Sequence, residues 1–465
     1  MGTQQACSTL PEGVKTAGFE YGEAFKIVAN KAKASVISSL FLRFSAALSS
    51  GESEKDFIIQ EADIAMERYK NDYERSVENL RKWTDAYSAI LVSVTLVMVV
   101  CLISTLIASM NELFIAMMAL SVSSVTAIGL YLIVKVAPLE KKNYTGQKEI
   151  AKDEEYAKRF LMFFAPIGCG LALITGLIFN LLVGWSVAFG AFGLALLPLG
   201  IVAMREDKKI RDLDSQLHTF LRSIGNIAGA TGSNLTQTLR DIDTRAMGFL
   251  GAYIRRLRLR LEANLSSELS WERFRQETGS ELINRTTHML VDGAERGGRA
   301  DDVGNICANY ALGVSQLREK RQMVASTFAF LTVPMHATMV FILIFVMEIL
   351  TKFNDKLSEI SETGLIELND SMSVPSGLDM PPGVAITSGG DLAAGLGMFS
   401  AQNLALTSWI IVLIIVMLTF ANGLAPKFAA GGSNRKIAFT MSLTCLVSGF
   451  VMAVVPVLSG KLFSI

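Results

Sequence analysis

The stretch ILVSVTLVMVVCLISTLIA, residues 90–108, decides the fold of this chain. It contains no charged side chain. An α-helix crosses the roughly 30 Å hydrocarbon core of a bilayer in about 20 residues, so the length fits one crossing. Water cannot satisfy backbone N–H and C=O groups in that layer, and an isolated apolar stretch must therefore be helical. The stretch predicts a membrane-spanning helix.

Six further stretches of the same kind follow, so we expect about seven transmembrane helices. They occupy residues 113–134, 160–182, 185–203, 326–350, 405–421 and 437–458. The composition agrees, since 51% of the 465 residues are hydrophobic and only 18% are charged, with the charge in blocks between the apolar stretches. The sequence therefore predicts an all-α, polytopic membrane protein with helical bundles outside the membrane.

The charged blocks also suggest a division into domains. We expect an amino-terminal cytoplasmic helical segment, four transmembrane helices with an inner loop at 135–159, and a cytoplasmic six-helix domain. One transmembrane helix, an external acidic loop and two more transmembrane helices complete the chain. The boundaries are 1–87, 88–204, 205–325, 326–350, 351–402 and 403–465. The polar start of the chain predicts that no amino-terminal signal peptide is present.

The distribution of basic residues predicts the orientation, because Lys and Arg near span ends stay in the cytoplasm. With the amino terminus inside, the external segments contain only Lys352, Lys356 and Lys461, which leaves 40 of the 43 Lys and Arg inside. We expect a multi-pass cell-membrane protein with an external carboxyl terminus. Asn369, in the external loop, begins an acceptor triplet and is a candidate glycosylation site.

The sequence offers no constellation for catalysis, and we expect no enzyme activity, cofactor or metal. The spans hold almost no ionisable residue, which counts against ion-coupled transport. Residues 431–436 lack the spacing of a phosphate-binding P-loop and are interpreted as a flexible inner loop. His336 follows Pro334 in a span, where a hydrogen bond to a neighbouring helix is favoured over metal binding. A transporter or channel, and a membrane receptor, remain as alternative functions.

The block 205–325 has apolar residues at helical spacing, punctuated by glycine turns, and predicts six helices, of which the second to the fifth begin near Leu235, Phe249, Trp271 and Leu282. Three features of this block resemble the type II secretion system F domain. They are the run Leu217-His218-Thr219-Phe220-Leu221-Arg222 with a Gly-Ser-Asn-Leu turn, the run Ala294-Glu295-Arg296-Gly297-Gly298, and a basic helix ending Arg318-Glu319-Lys320-Arg321 before a span. That domain marks the platform proteins of type II secretion systems, type IV pili and the archaellum.

The amino-terminal segment resembles a second, truncated copy of the same unit. The run that begins Phe41-Leu42-Arg43 precedes a charged helix and then a span. The bacterial members of the family have fewer membrane spans. In this sequence, four spans separate the two copies and two more follow the external loop. The topology is thus similar to the archaeal members of the family, which include the archaellum platform protein.

The resemblance implies a non-enzymatic platform that docks a hexameric secretion ATPase and acts on pilin-like or archaellin subunits. It further implies a homodimer in contact with membrane lipid, with no nucleic acid. Residues consistent with docking are Arg255, Arg256, Arg258, Arg260, Arg318, Lys320 and Arg321, together with Glu295, Gly297 and Gly298 of the turn. Solvation or attraction to anionic headgroups is an alternative explanation for the basic residues. A purely structural role is favoured for the two glycines.

Overall fold

The computed structural model describes residues 21–32, 34–104, 112–138, 140–144, 181–371 and 404–463 of the chain. Within these residues the architecture is helical, and the only strand-like pairing is one β-bridge between Asn143 and Ser280. The helices are α1 (Tyr21–Lys31), α2 (Ser35–Ser50), α3 (Glu54–Ser104), α4 (Glu112–Val136), α5 (Leu181–Thr231), α6 (Leu235–Asp241), α7 (Gly248–Glu262), α8 (Ser267–Thr278), α9 (Glu281–Glu295), α10 (Ala300–Ser371), α11 (Leu404–Ala430) and α12 (Ile437–Phe463), with a 3₁₀ turn at Asn434–Lys436.

Six of these helices are long and apolar enough to cross a membrane, namely α3, α4, α5, α10, α11 and α12. Helix α3 contains residues 90–104 of the first predicted span, and each of the other five contains one complete predicted span, whereas the predicted span 160–182 lies outside the described residues except at its last two positions. The prediction of an all-α polytopic membrane protein is confirmed. A fully helical chain is expected here, because each helix satisfies its own backbone hydrogen bonds within the bilayer.

Helix α10 differs from the sequence-based expectation at its far end. Residues 351–371, which were assigned to the external loop, continue the helix of the fifth predicted span as far as Ser371. The segment is rich in Glu, Lys and Leu, which favour helix, and its single Gly364 costs only about 1 kcal/mol. Asn369 therefore lies in the last turn of a helix.

The first 75 residues form a compact unit of their own. In its described part, Phe25 and Phe44 pack edge to face with ring centroids 4.8 Å apart, and Phe44 also contacts Phe57. Arg43 donates two hydrogen bonds to the Glu61 carboxylate, at 2.9 and 2.7 Å. The described part of the unit thus contains a small aromatic cluster, and a well-formed ion pair joins α2 to α3 at its surface.

The second unit, residues 76–465, holds the apolar helices, and small residues let two of them approach closely. A Cβ at Gly200 of α5 would lie 2.6 Å from the backbone nitrogen of Phe439 in α12. A Cβ at Gly193 would lie 3.0 Å from the carbonyl oxygen of Ser442, whose hydroxyl donates to the Gly193 carbonyl at 2.7 Å. Without a hydrophobic drive between helices in lipid, such close packing holds them together.

A buried polar chain connects α3, α10, α11 and α12 inside the apolar bundle. His336 of α10 is hydrogen-bonded to Ser448 of α12 at 2.8 Å and to Asn422 of α11 at 3.1 Å. Tyr87 donates to the Asn422 side chain at 3.2 Å, and Ser448 also bonds Thr419 at 2.8 Å. The prediction that His336 hydrogen-bonds neighbouring helices is confirmed.

Replacing His336 by Leu should lower the free energy of unfolding by about 1–2 kcal/mol, because Asn422 and Ser448 lose a partner in a water-free interior. The measurement is the thermal unfolding midpoint of the full chain in detergent. Thr338→Val is the matched control, since this exposed hydroxyl bonds only its own helix. Equal midpoints for the His336 variant and the control would show that the polar chain does not contribute to stability.

The six helices predicted within 205–325 correspond to observed elements. Helices α6, α7 and α9 begin at or next to the predicted starts, whereas α8 begins at Ser267, ahead of the predicted Trp271. Ser266 explains the earlier start, because its hydroxyl accepts a hydrogen bond from the Leu269 backbone N–H and caps α8. The first and last helices of the block continue without interruption into apolar spans, as parts of α5 and α10.

Candidate functional site

A cleft of about 570 Å³ lies where two of the sequence runs that carry the family resemblance meet. One wall is the turn after α5, including Gly232, Ser233 and Asn234. The opposite wall is the end of α9 and the start of α10, with Glu295 and Gly298, and the buried Trp271 lies at the base. The tertiary structure therefore brings together turns that are some 60 residues apart in the chain.

The glycines of the second turn are required by the backbone. Gly297 has φ +85°, a left-handed conformation that other residues adopt at a cost. Gly298 donates its N–H to the Gly293 carbonyl at 2.9 Å, and a Cβ there would lie 2.7 Å from the same oxygen. A structural role therefore accounts for both residues, while the exposed Glu295 side chain remains accessible at the cleft.

The arginines of α7 do not form one uniform stripe. Arg255 is exposed and has no ion pair with any described residue, and Arg256 is half exposed, stacked on Tyr253 and 3.3 Å from the Glu277 carboxylate. Arg258 and Arg260 lie on the flanks of the helix, where they pair with Glu262 and Glu277 respectively. The face that points outward from α7 therefore carries Arg255 and Arg256.

A further arginine, which the sequence analysis did not single out, joins this surface. Arg240 at the end of α6 lies 3.7 Å from the Glu262 carboxylate, which it shares with Arg258. Among the described residues, Arg240, Arg256, Arg258 and Arg260 thus share only two carboxylates, Glu262 and Glu277, and Arg255 pairs with neither. We call this surface the α7 basic face; its members are Arg240, Arg255, Arg256, Arg258 and Arg260. Its excess positive charge attracts an acidic partner.

Arg318 lies in the interior, in contrast to the predicted exposed basic stripe. Its guanidinium contacts the Asp214 carboxylate and the Glu140 carboxylate, each at 2.6 Å, and only 9% of the residue is exposed. Asp214 also accepts a hydrogen bond from the buried Ser280 hydroxyl. Arg318 therefore joins α5, α10 and the segment after α4. Its side chain is too buried to form part of a docking surface.

Arg321, one turn further along α10, is 2% exposed and is likewise internal. It donates hydrogen bonds to the carbonyl oxygens of Pro138, Phe428 and Ala429, at 2.7, 3.3 and 2.9 Å. Two of these carbonyls end α11, where the helix dipole favours a cation. Of the three basic residues Arg318, Lys320 and Arg321, which the sequence suggested for docking, only Lys320 is exposed.

Residues 431–436, interpreted from sequence as a flexible loop, pack against the same charged interior. Gly431 has φ +68° and lies against the Arg321 guanidinium, and Gly432 lies close to Asp207 and Lys142. Lys436 forms an ion pair of 2.5 Å with Asp207, although both side chains are buried. Glycine at these two positions permits close approach of the backbone to buried charges.

The segment after α4 is held against the helices of 205–325 by backbone pairing. The Tyr144 N–H donates to the Gly279 carbonyl and the Glu281 N–H donates to the Lys142 carbonyl, both at 2.9 Å. This pairing buries the Lys142 side chain beside Asp207. Burial lowers the pKa of the Lys142 amine to about 8, because desolvation outweighs the attraction of Asp207.

These internal charges were not identified from the sequence. Asp207, Asp214 and Lys142 each lie in charged stretches that read as solvated surface. The available signal was position, since each lies in the charged stretch that follows an apolar span. Among the described ranges, no group of His, Cys, Asp and Glu is arranged to hold a metal ion.

Two curated archaeal proteins are similar to this chain. The flagella accessory protein J of Methanocaldococcus jannaschii is 24% identical over 319 residues, which cover 65% of this chain and 55% of that protein. The flagella accessory protein J of Methanococcus voltae is 23% identical over 321 residues, covering 65% of this chain and 56% of its own. The resemblance to the archaellum platform protein is confirmed, and the chain spans little more than half the length of these relatives.

No family model matches the chain, and no solved structure matches it. The similarity to the two archaeal proteins is therefore the comparison that bears on function.

Proposed function

We propose that this chain is a membrane platform protein of an archaeal type IV filament or secretion machine, without covalent chemistry of its own. The observation that carries the proposal is the similarity to flagella accessory protein J over 65% of the chain. The fold is consistent with it, since long helices such as α5 and α10 run from apolar spans directly into charged helices. A rigid helix transmits displacement from one end to the other.

In this proposal the amino terminus and the block 205–325 are cytoplasmic, the domain boundaries are those expected from the sequence, and two copies associate. A hexameric secretion ATPase docks on the α7 basic face, and pilin-like or archaellin subunits contact the apolar helices. The support for ATPase docking is charge: five arginines against two carboxylates steer an acidic surface by long-range attraction. Glu295 and the cleft offer a second contact beside it.

Reversing Arg255 and Arg256 together to Glu should weaken ATPase binding at least tenfold at low salt, and less at high salt because ions screen exposed charges. The measurement is the dissociation constant between the full chain in lipid nanodiscs and the secretion ATPase of the same organism. The matched control reverses Arg273 and Arg285, which are exposed on α8 and α9.

Unchanged binding by the control and weakened binding by the α7 variant would support docking on the α7 basic face. Equal losses in both variants would indicate a general effect of net charge and contradict a specific face. Absence of binding by the folded wild-type chain would count against the platform function itself.

A further inference from the structure

A cavity of about 270 Å³ lies between α5, α10 and the segment after α4, within the charged interior described above. This volume is several times the roughly 30 Å³ that one water molecule occupies in the liquid, so the cavity has room for a small polyatomic group. Most of its lining is charged or polar: Lys142, Asp207, Arg211, Asp214, Ser315, Arg318, Glu319, Gln322 and Ser326.

Three carboxylates line this cavity; Glu319 is exposed, and the two buried ones have cationic partners. Asp207 pairs with Lys436 at 2.5 Å and with Arg211 at 3.6 Å. Asp214 pairs with Arg318 and also accepts from Ser280. The buried negative charge is therefore neutralised by cations other than Lys142.

Lys142 is left without a direct partner. The residue is 4% exposed and lines the cavity, and no described residue lies within hydrogen-bond or ion-pair distance of its side-chain amine. Asp207 acts on its amine only through longer-range attraction, whereas Lys436, Arg321 and Arg318 repel it. An ammonium group buried without a partner costs several kcal/mol, so an anion is the missing component.

Gln322 supplies a second, independent sign of a missing ligand. Its side chain lines the same cavity, and its amide oxygen is buried without a hydrogen-bond partner. The oxygen and nitrogen of a glutamine amide are interchangeable by rotation, so the group can donate a hydrogen bond instead. Two polar groups from separate parts of the chain thus point to one ligand.

The position of the cavity indicates which anion is available. Met323 and Ser326 line it, and the apolar span 326–350 of α10 begins at this point. Asp207 and Ile210 of α5 likewise follow closely on an apolar span. This boundary is the level at which a bilayer presents its phosphate groups. A phosphate oxygen accepts hydrogen bonds from an ammonium and an amide, and such charge-assisted bonds are the strong ones.

We propose that this cavity binds a phosphate group, held by the Lys142 amine and the Gln322 side-chain amide, with Arg211 and Arg318 adding positive potential. The group belongs to the headgroup of an anionic phospholipid or to free phosphate, which share this chemistry. Binding adds the negative charge that Lys142 lacks, and it stabilises the junction of α5, α10 and the segment after α4. The proposal is independent of ATPase docking, since the α7 basic face takes no part in it.

The test uses the full chain, delipidated in a neutral detergent, and measures the unfolding midpoint during titration. The probes are phosphatidylglycerol, a diacylglycerol with the same acyl chains, and potassium phosphate against potassium chloride at equal ionic strength. The variants are Lys142→Met and, as matched control, Lys141→Met, which removes an exposed lysine next in sequence.

We expect phosphatidylglycerol to raise the midpoint of the wild type and the control, and its half-saturating concentration to increase at least tenfold in Lys142→Met. An equal effect of potassium phosphate would identify free phosphate as sufficient, while its absence would identify the lipid headgroup. Without either anion, Lys142→Met should unfold no earlier than the wild type, because it removes an unpaired buried charge.

Unchanged half-saturation in Lys142→Met, or stabilisation by diacylglycerol equal to that by phosphatidylglycerol, would overturn the proposal. A lower midpoint for Lys142→Met without anion would also overturn it, since Lys142 would then be a paired structural cation. Gln322→Met keeps the test decisive if Lys142→Met does not fold. This variant should bind several-fold more weakly, and wild-type affinity in it would contradict the assigned ligands.

Discussion

Replacing Arg318 by Leu should lower the free energy of unfolding by about 3–5 kcal/mol, the largest single effect that we expect in this protein. The substitution leaves the Asp214 and Glu140 carboxylates buried without the guanidinium that contacts both at 2.6 Å. The loss arises because the two carboxylates keep their buried negative charge without a cation beside them. In the wild type, the attraction between Arg318 and these carboxylates offsets the cost of removing the charges from water. The measurement is the chemical or thermal unfolding of the full chain in detergent.

Lys320→Leu is the control for Arg318→Leu, because Lys320 lies two residues away on the same helix and is exposed. We expect that variant to change stability by less than about 1 kcal/mol, as exposed charges do. Combining Arg318→Leu with Asp214→Asn and Glu140→Gln should recover part of the loss, since the stranded carboxylates are then neutral. A full loss in the triple variant would contradict the charge explanation and indicate a packing defect instead.

The second large effect is expected at the crossing of α5 and α10, where Gly225 faces Gly304. A Cβ at Gly225 would lie 2.7 Å from the Gly304 Cα and 2.8 Å from the Ala300 carbonyl oxygen. Both atoms are backbone, so no rotamer change relieves the clash, and the helices must move apart. Gly225→Ala should therefore cost about 3 kcal/mol, the upper end for overpacking, despite the better helix propensity of alanine.

Gly460→Ala is the matched control, since a Cβ there meets nothing within 4 Å. That variant should be neutral or slightly stabilising in the same unfolding experiment. The crossing is flanked by hydrogen bonds from Arg222 to Asn309, at 2.9 Å, and from Asn305 to Asn226, at 3.3 Å. Equal stability of the two glycine variants would show that α5 and α10 separate without cost, contrary to close packing.

Hydropathy alone predicted the membrane class and the location of the apolar helices. Helical spacing and turn residues likewise predicted where the helices of 205–325 begin, with α8 displaced to Ser267 by a cap. Such features depend on neighbours within a few residues and on the thickness of the bilayer, so they are readable from local sequence. The sequence does not predict the continuation of α10 to Ser371, because residues 351–371 lead into a stretch rich in Ser, Gly and Pro that favours a loop.

The role of the basic residues was decided only by the tertiary structure. Arg318 and Arg321 resemble an exposed stripe in sequence, and yet they bind partners more than 100 residues away along the chain, such as Asp214 and Ala429. Whether a charge is solvated or buried depends on which distant helices close over it. Sequence determined that this chain is a bundle of membrane helices with charged extensions. The fold decided which charges form its interior junction and which remain exposed at the surface, because burial is set by long-range packing.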